Sequence, residues 1–241
     1  MNTTNAIKRD VLAKLKKMYP GKTNIQWSEL RIELALDANT QTYRFELQKG
    51  NANTDNPNEV RLQQSDCFAP LHLGLSILKY DPSLTPKNWS SNALFTYPDK
   101  VQFPGISGVS KEADALMSIY HGKHSLKVGS LTRIPETPNR LFLDIPHKQV
   151  TTGNVDYPVY GGQFNENEGF YDIVNYPLLS GDDQNVLEVT LGAGDRNQIA
   201  GLVNAAAANV VTRNLLVCFL GGFLIKDGAK SSKQFEGLLA Q

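Results

Sequence analysis

The sequence predicts an all-β fold with a few helices, and three observations predict it. The stretches "SELRIELAL" (28–36), "QTYRFELQ" (41–48) and "APLHLGLSIL" (69–78) alternate apolar and polar residues, the period of a half-buried strand. Between them lie turn chemistry, "DANT", and long polar loops, "KGNANTDNPNE" (49–59) and "DPSLTPKNWSSN" (81–92). A strand–turn–strand phrase also occurs twice: "ELRIELALDANTQTYRFELQ" (Glu29–Gln48) and "SLKVGSLTRIPETPNRLFLDIP" (Ser125–Pro146). Leu30–Leu47 aligns with Leu126–Leu143 at an offset of 96, and Tyr120, Gly122, Lys127 and Gly129 align with Phe219, Gly221, Lys226 and Gly228 at an offset of 99. A period near 100 is too long for a solenoid or a propeller blade. It predicts two copies of one small β-domain, 23–122 and 123–241, behind an N-terminal helix at 1–22, each copy placing a helix before its last strand.

Taken in order, "NAIKRDVLAKLKKMYPG" puts Ile7, Val11, Leu12, Leu15 and Met18 on one helical face and bases on the rest. Asn5 is the expected cap, and Pro20-Gly21 the stop. Two segments break the β pattern. "SKEADALMSIYHG" (Ser110–Gly122) opens on a serine cap, and "DRNQIAGLVNAAAANVVTRN" (Asp195–Asn214) is an alanine-rich helix capped by Asp195. The longest apolar run, "LLVCFLGGFLI" (Leu215–Ile225), holds two glycines and is shorter than the ~18–20 residues of a membrane span. The basic start is not followed by an unbroken apolar run, so neither a leader nor a membrane crossing is expected.

The 241 residues have zero formal net charge, which excludes binding of polyanions by bulk attraction. The balance is uneven. Lys8, Arg9, Lys14, Lys16 and Lys17 face a single acid, Asp10, within the first 20 residues, so the rest of the chain is acidic by the same amount. Cys67 and Cys218 form no Cys-x-x-Cys motif, which excludes a zinc ribbon or a thioredoxin-like site and leaves two buried thiols as the expectation.

No catalytic set emerges. Of four histidines, His121 and His124 stand three apart in "HGKH", but Gly122 and the alternation that follows indicate a hairpin rather than a metal-binding helix face. "NVLEVTLGAGDRNQIAG" has a strand, Gly192-x-Gly194 and a helix start, yet Asn197 stands where a dinucleotide fingerprint needs glycine and Asp195 would repel a phosphate. No G-x-S-x-G occurs. Asp172, Asp182, Asp183 and Asp195 are the oxygen ligands available to a structural calcium ion, and solvated loops are the plainer reading of them. No basic–aromatic face for nucleic acid is visible on the β-body. The one sharp surface signal is the N-terminal helix, read either as packed on its own core or as a basic face for anionic lipid or a partner.

The basic N-terminal helix, the repeated "L-[RK]-[IV]…R-[FL]-x-L" strands and the helices before closing strands together resemble the small double jelly-roll major capsid proteins of tailless, membrane-containing icosahedral phages. The nearest likeness is to those of single-stranded-DNA phages of Flavobacterium. The resemblance implies two tandem jelly-roll barrels, 23–122 and 123–241. It implies a non-enzymatic subunit without cofactor that trimerises into pseudo-hexagonal capsomers beside neighbouring capsomers and penton or minor capsid proteins. The virion capsid, made in the host cytoplasm, would be its location. Ile7, Lys8, Val11, Lys14, Leu15, Lys16 and Lys17 would face the internal membrane. The aromatics of polar loops, Trp89, Phe103, Tyr157, Tyr160, Phe164 and Phe170, are the candidate subunit interface. One departure is size, because about 100 residues must hold the second barrel and a long helix. Alternatives are a carbohydrate-binding β-sandwich using Trp89 and the tyrosines, a virion accessory or spike protein, or a cupin-type enzyme, against which the scattered histidines speak.

Overall fold

The computed structural model describes residues 3–20, 24–50, 59–80, 94–100, 102–103, 111–144, 148–152, 155–159, 169–173, 176–201 and 213–229. It is mostly β-sheet. Helix α1 (Thr3–Met18) is followed by strands β1 (Ile25–Ala35), β2 (Thr42–Glu46), β3 (Cys67–Tyr80) and β4 (Leu94–Phe95). Helix α2 (Lys111–Tyr120) leads into the hairpin β5 (Lys123–Val128) and β6 (Leu131–Pro138), closed by a 3₁₀ turn at Asn139–Phe142. Then come β7 (Lys148–Thr152), β8 (Val155–Val159), β9 (Phe170–Asp172), β10 (Leu179–Ser180), β11 (Asn185–Thr190) and β12 (Arg213–Ile225).

Two antiparallel sheets carry the fold. In one the order is β1-β12-β3, with β10, β9 and β4 along the far edge of β3; in the other it is β2-β11-β5-β6. The pairing is nested: β1 with β12, β2 with β11, β3 with β9 and β10, and β5 with β6 at the centre of the chain. Strands β7 and β8 form a separate ribbon.

The expected division at residue 122 does not follow these sheets. Strands β1, β2 and β3 of 23–122 pair with β12, β11, β10 and β9 of 123–241, so two tandem barrels are not seen among the described strands. The repeated phrases are not equivalent either. Leu30–Leu47 steps from one sheet to the other through β1 and β2, whereas Leu126–Leu143 is a hairpin within one sheet plus the 3₁₀ turn. Tyr120 ends a helix, whereas Phe219 lies in mid-strand. Any two half-buried strands write the same alternation, and that alone explains the likeness.

The inward-facing residues of both sheets build one core. Leu30 and Ile32, Phe45 and Leu47, Leu73, Leu75 and Ile77, Leu126, Leu187 and Val189, and Leu216, Cys218 and Leu220 meet there, and Leu116, Ile119 and Tyr120 of α2 join them. Each fully buried side chain of this size contributes about 1.5–3 kcal/mol. Cys218 lies in this core and Cys67 beneath α1; both are buried and neither is in a disulfide. The helix expected over Asp195–Asn214 is not borne out at its described ends. Asp195 accepts the Asn197 amide in a local turn at 3.0 Å, and Arg213 and Asn214 already belong to β12. Residues 202–212 lie outside the described residues.

Candidate functional site

The outer faces of the two sheets differ in character. That of β2-β11-β5-β6 is charged: Glu188 receives Lys127 at 2.6 Å and Arg44 at 3.5 Å, and Lys123 meets Glu136 at 2.5 Å. The outer faces of β3 and β12 instead carry apolar side chains, among them Ala69, Leu71, Leu78, Val217, Phe219, Phe223 and Ile225. Their outer face therefore needs a cover, and α1 supplies it. Val11, Leu15, Met18 and Tyr19 pack on Cys67, Ala69, Leu71, Phe223 and Ile225.

A bulge shapes this face. Pro70 pairs with Gly222 and His72 with Gly221, which leaves Leu71 as an extra residue on β3. Before the bulge Cys67, Ala69 and Leu71 point outward; after it Leu73, Leu75 and Ile77 point into the core. Leu71 and His72 consequently share the outer face. Glycine is required opposite, because a Cβ at Gly222 would stand 2.2 Å from the Ala69 carbonyl oxygen.

Around His72 four elements converge. Its Nδ1–H donates to Asp172 Oδ1 of β9 at 2.7 Å. Trp27 of β1, 45% exposed, lies 5.8 Å from the His72 ring and 5.4 Å, edge on, from Phe223. The Lys8 ammonium of α1 stands 4.4 Å above the Trp27 ring. Ile7, Leu71, His72, Asp172, Ile173 and Tyr176 line a small, half-open depression. Burial, and then the charges of Asp172 and Asp10, push the Tyr176 hydroxyl above its ordinary range.

The residues expected at a membrane divide in two. Val11 (1% exposed) and Leu15 (0%) face the protein's own sheet and are corrected from lipid contacts to helix anchors. The physical reason is that Cys67, Ala69, Leu71, Phe223 and Ile225 would otherwise face water. Ile7 remains 38% exposed, Lys16 and Lys17 are exposed, Lys14 is paired with Asp10 at 3.7 Å, and Lys8 is held over Trp27. Arg9, Lys16 and Lys17 thus form a basic ridge on the side of α1 away from the sheet.

Of the candidate interface aromatics, Phe103 is corrected. It is fully buried in the core, edge-on to Phe95 at 5.1 Å, and the Lys79 ammonium stands 5.0 Å from its ring. A polar sequence neighbourhood did not reveal that the Phe103 side chain is buried. Phe170 is half-buried beside Phe219 on the outer face. Trp89, Tyr160 and Phe164 lie outside the described residues, and Tyr157 outside the described side chains.

The structure does not gather the histidines. His121 is exposed in a turn, while His124 is buried with Nδ1 3.0 Å from Asn139 Oδ1; His147 lies outside the described residues. Among the described residues no group of three or more His, Cys, Asp or Glu could hold a metal ion. Among the described residues no helix is long and apolar enough to cross a membrane. Sequence reasoning named Asp172 only as an oxygen ligand and missed its convergence with Trp27, His72 and Tyr176, which depends on the bulge and on pairing between distant strands. No protein-family model matches the chain, and no curated protein matches it at a significant level.

Proposed function

We propose that the chain is a non-enzymatic structural subunit of an icosahedral virus shell, a trimer whose α1 ridge faces an anionic internal membrane. The observation that carries this reading is the nested strand order. It is the order of a jelly roll, an architecture used by viral capsid and lectin domains. The described strands supply one such sandwich per chain, so three chains form a three-lobed tile rather than the six lobes of a double-barrel trimer. Arg9, Lys16 and Lys17 support the orientation. They project from a helix already anchored by Val11 and Leu15, and each base near an anionic surface contributes roughly 1 kcal/mol. The sugar-binding alternative rests on Trp89, which lies outside the described residues, and the described tryptophan, Trp27, carries Lys8 over one ring face.

Two measurements test the reading. Native mass spectrometry and negative-stain imaging of the purified chain are expected to give trimers or closed shells; a strict monomer at tens of micromolar sinks it. The double substitution Lys16→Glu with Lys17→Glu is expected to leave the melting temperature within a few degrees and to abolish binding to phosphatidylserine vesicles at about 0.1 M salt, where the screening length is ~10 Å. Undiminished vesicle binding would remove α1 from the membrane side.

A further inference from the structure

The depression between α1 and β9 has features that shell assembly does not use. Its floor is apolar, formed by Leu71, Ile173 and Ile7. Its rim carries Asp172, whose side chain is 59% exposed. Among the described residues that carboxylate is hydrogen-bonded through Oδ1, to His72, and Oδ2 faces no donor among them. The other acid near Tyr176 is Asp10, which is paired with Lys14 at the surface. Lys8 of α1 is committed to the Trp27 ring. Asp172 is therefore the charge at this rim that no ammonium or guanidinium answers among the described residues, and it lies above an apolar floor beside a half-buried tyrosine.

We propose that this depression receives an arginine or lysine side chain presented by another polypeptide. A basic side chain has the two parts that match. Its methylene stem covers Leu71, Ile173 and Ile7, and its charged tip reaches Asp172 Oδ2 and the Tyr176 ring. An acidic or neutral side chain would desolvate Asp172 without compensation. A choline-type headgroup brings a charge but no stem for the floor. The depression is small and half open, a shape that offers contacts to one side chain rather than enclosing a whole ligand. The pairing is independent of the shell reading, because any partner with a protruding base satisfies it.

The test uses the intact chain and three probes: Nα-acetyl-arginine amide, its neutral isostere Nα-acetyl-citrulline amide, and choline. Chemical shifts of the His72 ring and the Tyr176 ring protons report occupancy. The arginine probe is expected to saturate at about millimolar affinity, as a single solvent-exposed side-chain contact allows. Citrulline amide and choline are expected to bind at least tenfold more weakly, and Asp172→Asn to weaken the arginine probe about tenfold. Asp182→Asn, an exposed acid elsewhere, should change nothing. The proposal is overturned if the arginine probe fails to saturate, if citrulline amide binds as well, or if Asp172→Asn binds it unchanged. Tighter binding of choline than of arginine would overturn the assignment to a protein side chain. The comparison of arginine with citrulline needs no variant, so a misfolded Asp172→Asn protein would not leave the question open.

Discussion

His124 enters β5 with its ring inside the sandwich, 1% exposed, between Phe142 at 4.8 Å and Tyr171 at 6.3 Å. Asn139 fixes its tautomer. The Asn139 amide nitrogen donates to the Ile119 carbonyl at 2.8 Å, so its oxygen faces His124 and must accept from Nδ1–H at 3.0 Å. Nε2 is then the unprotonated nitrogen, buried without a partner among the described residues. Burial pulls the imidazole below its usual value, and the bond to Asn139 opposes this only in part. The unfolded chain, titrating near ~6.5, therefore binds a proton more readily than the folded one. The contribution to stability is full above that pH and declines as pH falls through it. The slope approaches about 1.4 kcal/mol per pH unit until the folded ring itself protonates. Urea unfolding at pH 7.5 and 5.0 is expected to show this loss for the native chain and a flatter profile for His124→Phe. Equal slopes in the two proteins would show that the ring does not govern the acid response.

At the scale of elements, α1 shows what alternation and periodicity reveal and what they leave open. The sequence places Val11, Leu15 and Met18 on one stripe, and the structure keeps them together. What the stripe faces depends on β3 and β12, whose outer residues lie far away in sequence. The strands β1, β2, β3, β5 and β6 and helix α2 were legible from period and caps to within a few residues. The bulge at Leu71, which moves His72 to the outer face, left no local signal, and neither did the burial of Phe103. This packing makes α1 part of the fold. Leu15→Ala is expected to destabilise the chain by about 2–5 kcal/mol, as for other buried leucines. Removing residues 1–19 should unfold it or lower its melting temperature by more than ten degrees. A truncated chain that melts as the intact one does would mean that the sheet's outer face finds another cover.

For the whole molecule, the nesting decides what can fold alone. Periodicity assigns a strand's faces but not its neighbours, so the sequence left open which strands would meet. In the structure β12 lies between β1 and β3, and β11 between β2 and β5. A chain cut after residue 122 divides both sheets. The fragment 1–122 retains β1, β2 and β3 but loses β12 and β11, the central strands that join them, along with β9 and β10 at the edge of β3. The fragment 123–241 retains β12 and β11 with only the β5-β6 hairpin as a described partner, leaving Leu216, Cys218 and Leu220 without Leu30, Ile32 and the inward residues of β3. Each half therefore exposes most of the shared core, and neither should show a cooperative thermal transition. Mixed together the halves should regain one, because the cut restores no missing strand but removes none either. The intact chain should unfold in one cooperative transition, without the separable steps of two independent domains. Two tandem barrels would behave otherwise: 1–122 would melt cooperatively by itself and the full chain would show separable transitions. Circular dichroism melts of the two fragments, alone and mixed, distinguish these outcomes, and a cooperative melt of 1–122 alone would refute the nested pairing.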